Sequence, residues 1–146
     1  MPLAKDFGVR NMRLVLDTNI YVFAFGEAEI PSCVHLIESA SIHRTSIHIP
    51  RTIIREVQNN LRPILFKEFI LFVHKAAHIE EDNIVPFELG MKYEAMGLKP
   101  ADAFIGSFTE WVGAETLVSE NRHFLSRQSN LPFKVLTAEK CLKILK

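Results

Sequence analysis

The chain has 146 residues, and its 17 basic residues balance 17 acidic ones, so the formal net charge is zero. A chain of this length is most simply a single domain, spanning residues 1–146, that can bury a substantial core. The balanced charge argues against a broad electrostatic grip on nucleic acid but is compatible with a local basic rim, and no apolar run is long enough to predict a membrane span.

The first predicted element is a short buried strand that ends at a carboxylate. Leu14, Val15 and Leu16 form an unalternated apolar run, which is typical of a parallel strand covered on both faces. Asp17 and Asn19 then favour a turn or a helix N-cap. Because ligands bind at the carboxyl ends of strands in open α/β sheets, we expect Asp17 at the lip of a site. An Asp that merely caps the next helix is an equally good interpretation.

Helices and strands alternate through the next part of the chain. Apolar residues at helical spacing predict a helix from Pro31 to about Ala40. A short strand is predicted over Thr45–Ile49. The following helix begins at Pro50 and carries Glu56.

The helix predicted from Arg62 to about Ala77 is apolar on most of its sides, with eight apolar residues between Ile64 and Val73. A helix of this kind is buried on most sides, and in a small domain that often means a partner helix from another chain. We therefore expect a subunit or partner interface here, as in a homodimer. A helix buried wholly within its own chain is the alternative.

The second half continues the alternation. The predicted elements are a short connection over Asp82–Pro86 with a strand at Ile84–Val85, a helix over Glu88–Met96, a helix that opens at Pro100–Asp102 and ends at Gly113, strands over Thr116–Ser119 and Phe133–Leu136, and a closing helix over Ala138–Leu145. Alternating strands and helices imply right-handed crossovers. The predicted fold class is therefore α/β, a three-layer α/β/α sandwich around a central, mainly parallel sheet of four to five strands.

Composition also bears on the compartment. Residues 1–11 resemble a short, weakly specified leader without an apolar centre, so they predict no secretion signal. Cys33 and Cys141 have no paired spacing, which favours reduced thiols that fill the core of a cytoplasmic protein.

Acidic and amide side chains recur where strands end and helices begin. Asp17 follows the first strand, Asp102 lies in the first turn of a helix, and Glu120 and Asn121 follow another strand. Strand carboxyl ends and helix N-termini lie on the same edge of such a sheet. Glu56, on a helix that follows a strand, lies off the buried line of that helix. Dispersed caps and surface charges explain the same pattern equally well.

Several carboxylates that face one cleft repel one another, and each resists ionising. Such clusters persist when a divalent cation neutralises them. Oxygen ligands without Cys or His favour Mg²⁺ or Mn²⁺ over Zn²⁺. Hydrolysis of a phosphodiester by a metal-activated water is the chemistry that such a site would support.

Four stretches in order resemble the PIN-domain family, and the resemblance runs in register from about Met12 to Leu145. They are Leu16-Asp17-Thr18-Asn19-Ile20, Glu56 in the helix after the second strand, Pro100-Ala101-Asp102-Ala103-Phe104-Ile105, and Leu117-Val118-Ser119-Glu120-Asn121-Arg122-His123-Phe124. The compact size resembles the VapC-type toxin ribonucleases of toxin–antitoxin pairs. The resemblance implies a Mg²⁺-dependent ribonuclease specific for single-stranded RNA, often a homodimer, that a cognate antitoxin protein holds inactive.

Carried over by position, the resemblance assigns Asp17, Glu56 and Asp102 to the acidic metal site. The fourth position, commonly Asp in the family, is Asn121 here, preceded by Glu120. An Asn can ligate through its carbonyl oxygen but brings no charge, which bears on the occupancy of a second metal. Neighbours at a strand end point to opposite sides, so we expect only one of these two side chains to face the cleft.

Residues beside the acidic positions are expected to support the site. Thr18 and Ser119 match small polar positions of the family, where they would orient carboxylates or water or satisfy the backbone at turns. Asn19 and Glu120 are further supporting candidates. Arg122, like Lys99, is a candidate phosphate contact, with a solvated loop charge as the alternative.

Two other functions remain open. A catalytically weak PIN-like module that binds RNA or a protein partner is the main alternative, and Asn121 is its chief support. Another magnesium phosphohydrolase or a receiver-type domain is the second. A receiver needs an acidic pair directly after its first strand, whereas this strand ends in Asp17 alone.

Overall fold

A five-stranded sheet lies at the centre of the computed structural model, which describes residues 12–42, 45–126 and 130–145. The strands are β1 (Met12–Leu16), β2 (Thr45–Pro50), β3 (Ala77–Glu80), β4 (Thr116–Val118) and β5 (Lys134–Leu136). Their order is β3-β2-β1-β4-β5, and every neighbouring pair is parallel. The predicted α/β class is confirmed, with the upper of the two strand numbers. The leader predicted over residues 1–11 lies outside the described residues.

Helices flank this sheet and bury it on both faces. They are α1 (Thr18–Phe25), α2 (Pro31–Ile42), α3 (Arg51–Asn60), α4 (Pro63–Ala76), α5 (Phe87–Ala95), α6 (Pro100–Trp111), α7 (Arg122–Leu125) and α8 (Ala138–Leu145). Helix α1 packs on α2, α3 and α4, helix α2 on α8, and helix α5 on α6. Leu14, Val15 and Leu16 are all buried, which requires cover on both sides of β1. Across the described ranges, no helix has the length and apolar character needed to cross a membrane.

The path of the chain creates a crevice beside the central strand. From β1 the chain moves outward through β2 to β3, then returns to place β4 on the other side of β1. Ligands of such sheets bind where the strand order reverses, at the carboxyl ends of the strands. The Asp17 N–H donates to the Val118 carbonyl at 2.9 Å, and the Ser119 N–H donates to the Leu136 carbonyl at 2.9 Å. These bonds fix the residues that directly follow β1 and β4.

The strand predicted at Ile84–Val85 is wrong. The third strand is instead Ala77–Glu80, which begins directly after α4, and residues 82–84 form a 3-10 turn. No Gly or Pro separates α4 from β3, so the sequence carries no signal for the change. Pairing with β2 makes this segment a strand, and such a tertiary preference cannot be read locally.

Helix α4 buries one side within its own chain. Phe69 and Val73 are fully buried, and the Phe69 ring meets the Tyr21 ring edge-on with centroids 5.1 Å apart. Ile64 and Leu71 are 64% and 63% exposed. Internal burial therefore accounts for the Phe69 side of the helix. The interface expected on this helix stays a prediction for its outer side.

Helices α5 and α6 approach closely at a glycine. A Cβ built at Gly106 would lie 2.8 Å from Cδ2 of the Tyr93 ring. Tyr93 is fully buried, and its hydroxyl donates to Oε1 of Glu110 at 2.7 Å. A buried Tyr ring with a satisfied hydroxyl contributes strongly to packing, and here the missing side chain of Gly106 makes room for it.

Both cysteines are buried and unpaired, as the sequence predicts. Burial raises the pKa of the Cys33 thiol and of the Cys141 thiol to about 11. Protonated, buried thiols behave as small apolar groups in the core.

Candidate active site

Asp17 is held through both of its carboxylate oxygens. It is the N-cap of α1, and its Oδ1 accepts from the Thr18 backbone N–H at 2.8 Å. Its Oδ2 accepts from the Ser119 hydroxyl, also at 2.8 Å. One bond comes from the helix after β1 and the other from the residue after β4. The carboxylate therefore bridges the crevice where the strand order reverses.

The charges of two further carboxylates act on Asp17 at this point. Burial raises the pKa of Asp17, and the negative charges of Asp102 and Glu56 raise it further. The hydrogen bonds from the Ser119 hydroxyl and the Thr18 backbone act in the opposite direction. The sequence analysis expected mutual repulsion among acidic groups at this edge. Such an effect requires Asp102 and Glu56 each to lie near Asp17.

Glu56 reaches the crevice from α3. Its Oε1 accepts a hydrogen bond from the Thr18 hydroxyl at 2.5 Å. Thr18 thus serves two carboxylates, because its backbone caps Asp17 while its side chain holds Glu56. A single turn after β1 fixes the relative placement of these two acids.

Asn121 connects the end of β4 to Asp102 in the first turn of α6. Its Nδ2 lies 3.4 Å from Oδ1 of Asp102, and its backbone N–H donates to the Ser119 hydroxyl at 3.0 Å. Its Oδ1 caps α7 by accepting from the His123 backbone N–H at 3.0 Å. The carbonyl oxygen that could ligate a metal is therefore engaged in a cap. The amide nitrogen instead orients Asp102.

Glu120 points away from these carboxylates. Its Oε2 accepts from the Ala138 N–H at the start of α8, at 2.9 Å. Its charge also acts with burial to raise the pKa of Cys33, which lies on α2. The Glu120 backbone N–H lies 3.4 Å from Oδ1 of Asn19. Glu120 and Asn19 thus join loops, and Asn121 is the one of the pair that faces the acidic groups.

The donor set fits a hard divalent cation held partly through water. In the described ranges, no three Asp, Glu, His or Cys side chains are grouped closely enough to hold a metal ion together. Mg²⁺ commonly takes one or two carboxylates and keeps several waters, so this arrangement suits it. The charges of Asp102 and Glu56 beside Asp17 give this edge a negative potential that a divalent cation would neutralise.

The two predicted basic candidates lie beside the acidic groups in the chain. Arg122 is the first residue of α7 and is exposed, and Lys99 caps α6 and is exposed. Lys140 and Thr137 line a cavity together with Arg122, and the sequence analysis missed both. The available signal was a hydroxyl residue directly after a strand, followed by a Lys in the first helical turn.

Three solved structures share this fold over 86% of this chain and 97% of the matched chain. One is the crystal structure of VapBC2 from Rickettsia felis bound to a DNA fragment from their promoter, with 23% identity and a TM-score of 0.61. A toxin–antitoxin complex from Klebsiella pneumoniae matches at 18% identity with a TM-score of 0.63, and FitAcB from Neisseria gonorrhoeae at 12% with 0.55. The chain has a PIN-like fold.

The likeness is one of fold rather than of sequence. No protein-family model matches the chain, and no curated protein matches it significantly. The PIN-like fold nevertheless agrees with the resemblance carried by the sequence motifs. Those motifs supply Asp17 and Ser119 at the switch point between β1 and β4.

Proposed function

We propose that this chain is a Mg²⁺- or Mn²⁺-dependent endoribonuclease that cleaves single-stranded RNA. One observation carries the proposal. The Ser119 hydroxyl binds Asp17 at the point where the strand order reverses, and the charges of Asp102 and Glu56 both raise the pKa of Asp17. Carboxylates at the carboxyl ends of neighbouring strands suit a divalent cation, and such a cation commonly acts on phosphates.

Each residue of the site has a separate task in this proposal. Asp17 and Asp102 would hold the cation, with Glu56 bound directly or through water. A bound ion would supply Lewis-acid chemistry, which would polarise the scissile phosphate and lower the pKa of a water ligand. Ser119 keeps Asp17 in place and Asn121 keeps Asp102 in place, which reduces reorganisation during the reaction.

Glu56 is the proposed general base. The Thr18 hydroxyl donates to Oε1, and within the described part of the chain Oε2 accepts no hydrogen bond. Oε2 can therefore accept a proton from the attacking water while the Thr18 hydroxyl keeps Oε1 in place. Attack on the phosphorus breaks the bond to the leaving oxygen, which takes up a proton from solvent.

The test is cleavage of a fluorescent single-stranded RNA in Mg²⁺ by the wild type, Asp17→Asn and Asp102→Asn. We expect both variants to lose about 100-fold or more, since even partners outside the metal's ligand shell commonly contribute 10- to 100-fold. Glu139→Gln, an exposed change on α8, is the matched control and should cleave normally. Asp17→Asn and Asp102→Asn variants that cleave as fast as this control would rule the assignment out. All proteins are purified in parallel, so that a contaminating nuclease would give the same activity in every preparation.

The same proposal includes a toxin role with an antitoxin partner. Its support is the shared fold with VapBC2 and with the toxin–antitoxin complex from Klebsiella pneumoniae. A small adjacent gene that encodes a DNA-binding domain with a tail would supply the partner. We expect its product to co-purify with this chain and to suppress RNA cleavage.

A homodimer is part of the proposal through the outer side of α4. Ile64 and Leu71 are large, exposed apolar residues on this side. Light scattering should show a dimer, and Leu71→Lys should weaken it. A monomer at high protein concentration would contradict this interface.

A catalytically weak PIN-like module that binds RNA or a protein is the second candidate. The observation that favours it is Asn121, which brings no charge and whose carbonyl oxygen is occupied by the α7 cap. Calorimetric titration with Mn²⁺ separates the two functions. Weak or absent binding favours the module, whereas binding that Asp17→Asn abolishes favours the nuclease.

A further inference from the structure

A second polar feature lies on the same edge of the sheet as the acidic residues. It is a cavity of about 380 Å³ between α7, the end of β5 and the start of α8. Its polar lining comprises Arg122, Ser126, Thr137 and Lys140. We name it the α7–α8 cavity. None of the roles derived above for the carboxylates uses it.

Both ionisable side chains that line the α7–α8 cavity are cations. Neither Arg122 nor Lys140 forms an ion pair within residues 12–42, 45–126 and 130–145. The nearest acids in sequence do not line the cavity. The Glu120 carboxylate accepts from the Ala138 N–H, and its charge raises the pKa of Cys33. Glu139 is exposed on α8. The cavity is therefore suited to an anion.

The hydroxyl groups narrow the ligand chemistry further. Thr137 Oγ1 accepts from the Lys140 backbone N–H at 3.2 Å, which leaves the hydroxyl proton able to donate. Ser126 Oγ donates to the His123 carbonyl at 2.9 Å, so this oxygen can only accept from a ligand. Two cations and one hydroxyl donor match the oxygens of a phosphate. One acceptor beside them matches a sugar hydroxyl.

The floor of the cavity is apolar. Leu125 and Val135 contribute to it, and Val135 is fully buried. A free inorganic anion gains nothing from such a surface. A nucleotide places its phosphate on the cations and its ribose or base over the apolar side chains.

The α7–α8 cavity is coupled to the carboxylates by the sheet itself. Arg122 directly follows Asn121, and the Ser119 N–H donates to the Leu136 carbonyl just before Thr137. Strands β1 and β5 are separated by β4, so their ends lie about 10 Å apart. A single RNA strand can therefore reach the cavity and the acidic residues together.

We propose that the α7–α8 cavity binds a backbone phosphate of the RNA strand, one or two nucleotides from the cleaved bond. Arg122, Lys140 and Thr137 hold the phosphate, and the apolar floor carries the adjoining ribose or base. The inference rests on the proposed RNA substrate and adds a second point of attachment. It explains how a protein with no net charge can grip RNA at one place.

The test measures binding of a fluorescent single-stranded oligoribonucleotide in EDTA, by anisotropy at several salt concentrations. We compare the wild type, Lys140→Gln, Arg122→Gln and the double variant. Lys143→Gln is the matched control, because Lys143 is exposed on the same helix and does not line the cavity. Thermal denaturation establishes that each variant is folded.

Each single variant should bind about three- to tenfold more weakly, and the double variant should lower the salt slope by about 0.7, the value for one phosphate contact on a single strand. The double variant should lose less than the product of the two single losses, because both cations serve one phosphate. With Mg²⁺ present, Lys140→Gln should raise KM severalfold more than it lowers kcat.

The outcomes separate this inference from the proposed function. Lys140→Gln and Arg122→Gln variants that match Lys143→Gln in affinity, salt slope and KM overturn the cavity proposal, even if the wild type cleaves RNA. If the two variants bind RNA more weakly than Lys143→Gln but the wild type does not cleave RNA, the cavity proposal is supported and the nuclease proposal is overturned. A wild type that neither binds nor cleaves RNA removes both.

Discussion

The carboxyl edge of the sheet and the contact between α5 and α6 are built on opposite principles. At the edge, Asp17 is half-buried beside two further negative charges, and its partial burial together with these charges raises its pKa. At the helix contact, Tyr93 is buried against Gly106 with its hydroxyl satisfied by Glu110. The ionised form of Asp17 therefore opposes folding at neutral pH, whereas the packing of Tyr93 favours folding.

The difference shows where this protein gives up stability for chemistry. Native proteins commonly carry strain or repulsion at functional sites and compensate elsewhere in the fold. If the edge is a functional site, variants there should lose activity while keeping or gaining stability. Variants at the helix contact should do the reverse. Four sets of variants test this comparison, taken from the largest expected effect to the smallest.

Among the residues that position the carboxylates, Ser119→Ala should have the largest effect, lowering cleavage by about 10- to 100-fold. It removes the hydroxyl that donates to Asp17 and accepts from the Asn121 backbone N–H. Asp17 then loses its direct partner, and Asp102 is less well oriented because Asn121 is less well fixed. Thr18→Val should lower cleavage less, because the backbone N–H that caps Asp17 is retained. Initial rates on the same RNA, measured over a Mg²⁺ titration, provide the comparison. A larger loss for Thr18→Val would show that Thr18 contributes more than Ser119 to holding the carboxylates.

Gly106→Ala should lower the free energy of unfolding by about 1–3 kcal/mol, since the new methyl group overlaps the Tyr93 ring. Gly90→Ala is the matched control on α5, because a Cβ there meets nothing within 4 Å. The control should gain about 0.5–1 kcal/mol from helix propensity. Urea denaturation measures both. Equal stability of the two variants would show that the helix contact is not closely packed.

Asp17→Asn should raise the free energy of unfolding at pH 7 by about 1 kcal/mol while cleavage is lost. The pKa of Asp17 is raised in the folded state, so its charged form opposes folding at neutral pH. That destabilisation is relieved as the pH falls through the folded-state pKa, and the advantage of the variant should shrink over the same range. Denaturation at several pH values tests this, and Asn still caps α1.

Asp82→Asn is the control for that pH series. Its carboxylate accepts from the Thr52 backbone N–H at 3.0 Å and from the Thr52 hydroxyl, and it pairs with Arg55. A carboxylate with such partners stabilises the fold, so this variant should lose stability at pH 7. If Asp17→Asn also lost stability, repulsion at the carboxyl edge would be too weak to matter.

Tyr21→Phe should have the smallest effect, a gain of up to about 1 kcal/mol. The Tyr21 hydroxyl is buried, and no hydrogen-bond partner is found for it within the described residues. Removing a buried polar group that lacks a partner is neutral or stabilising, and the ring keeps its contact with Phe69. Urea denaturation against the wild type measures it. A loss of more than about 1 kcal/mol would indicate a hydrogen bond to this hydroxyl.

Much of the fold could be predicted because strong local patterns decide it. The apolar run before Asp17 and the proline before Asp102 mark a strand end and a helix start, and both lie where the pattern puts them. The third strand could not be predicted, since Ala77–Glu80 is a strand through its pairing with β2. Local preference carries no information on such a partner.

The sequence could place the candidate acidic residues at the carboxyl ends of the strands, but it could not give the orientation of their side chains. Alternation indicated that only one of Glu120 and Asn121 faces the acids, without indicating which. The choice depends on Ala138, 18 residues further along the chain, whose N–H donates to the Glu120 carboxylate. Likewise the bond from Thr18 to Glu56 spans 38 residues and exists only in the folded chain.

The order of the chain has a consequence for its synthesis on the ribosome. The acidic groups and their anchors extend from Asp17 to Asn121, and β1 needs β4 beside it to form the crevice. A nascent chain that stops before residue 116 lacks both that strand and Ser119. An unfinished translation product therefore cannot assemble the carboxyl edge, and the host cell would meet the proposed nuclease only after most of the polypeptide had emerged.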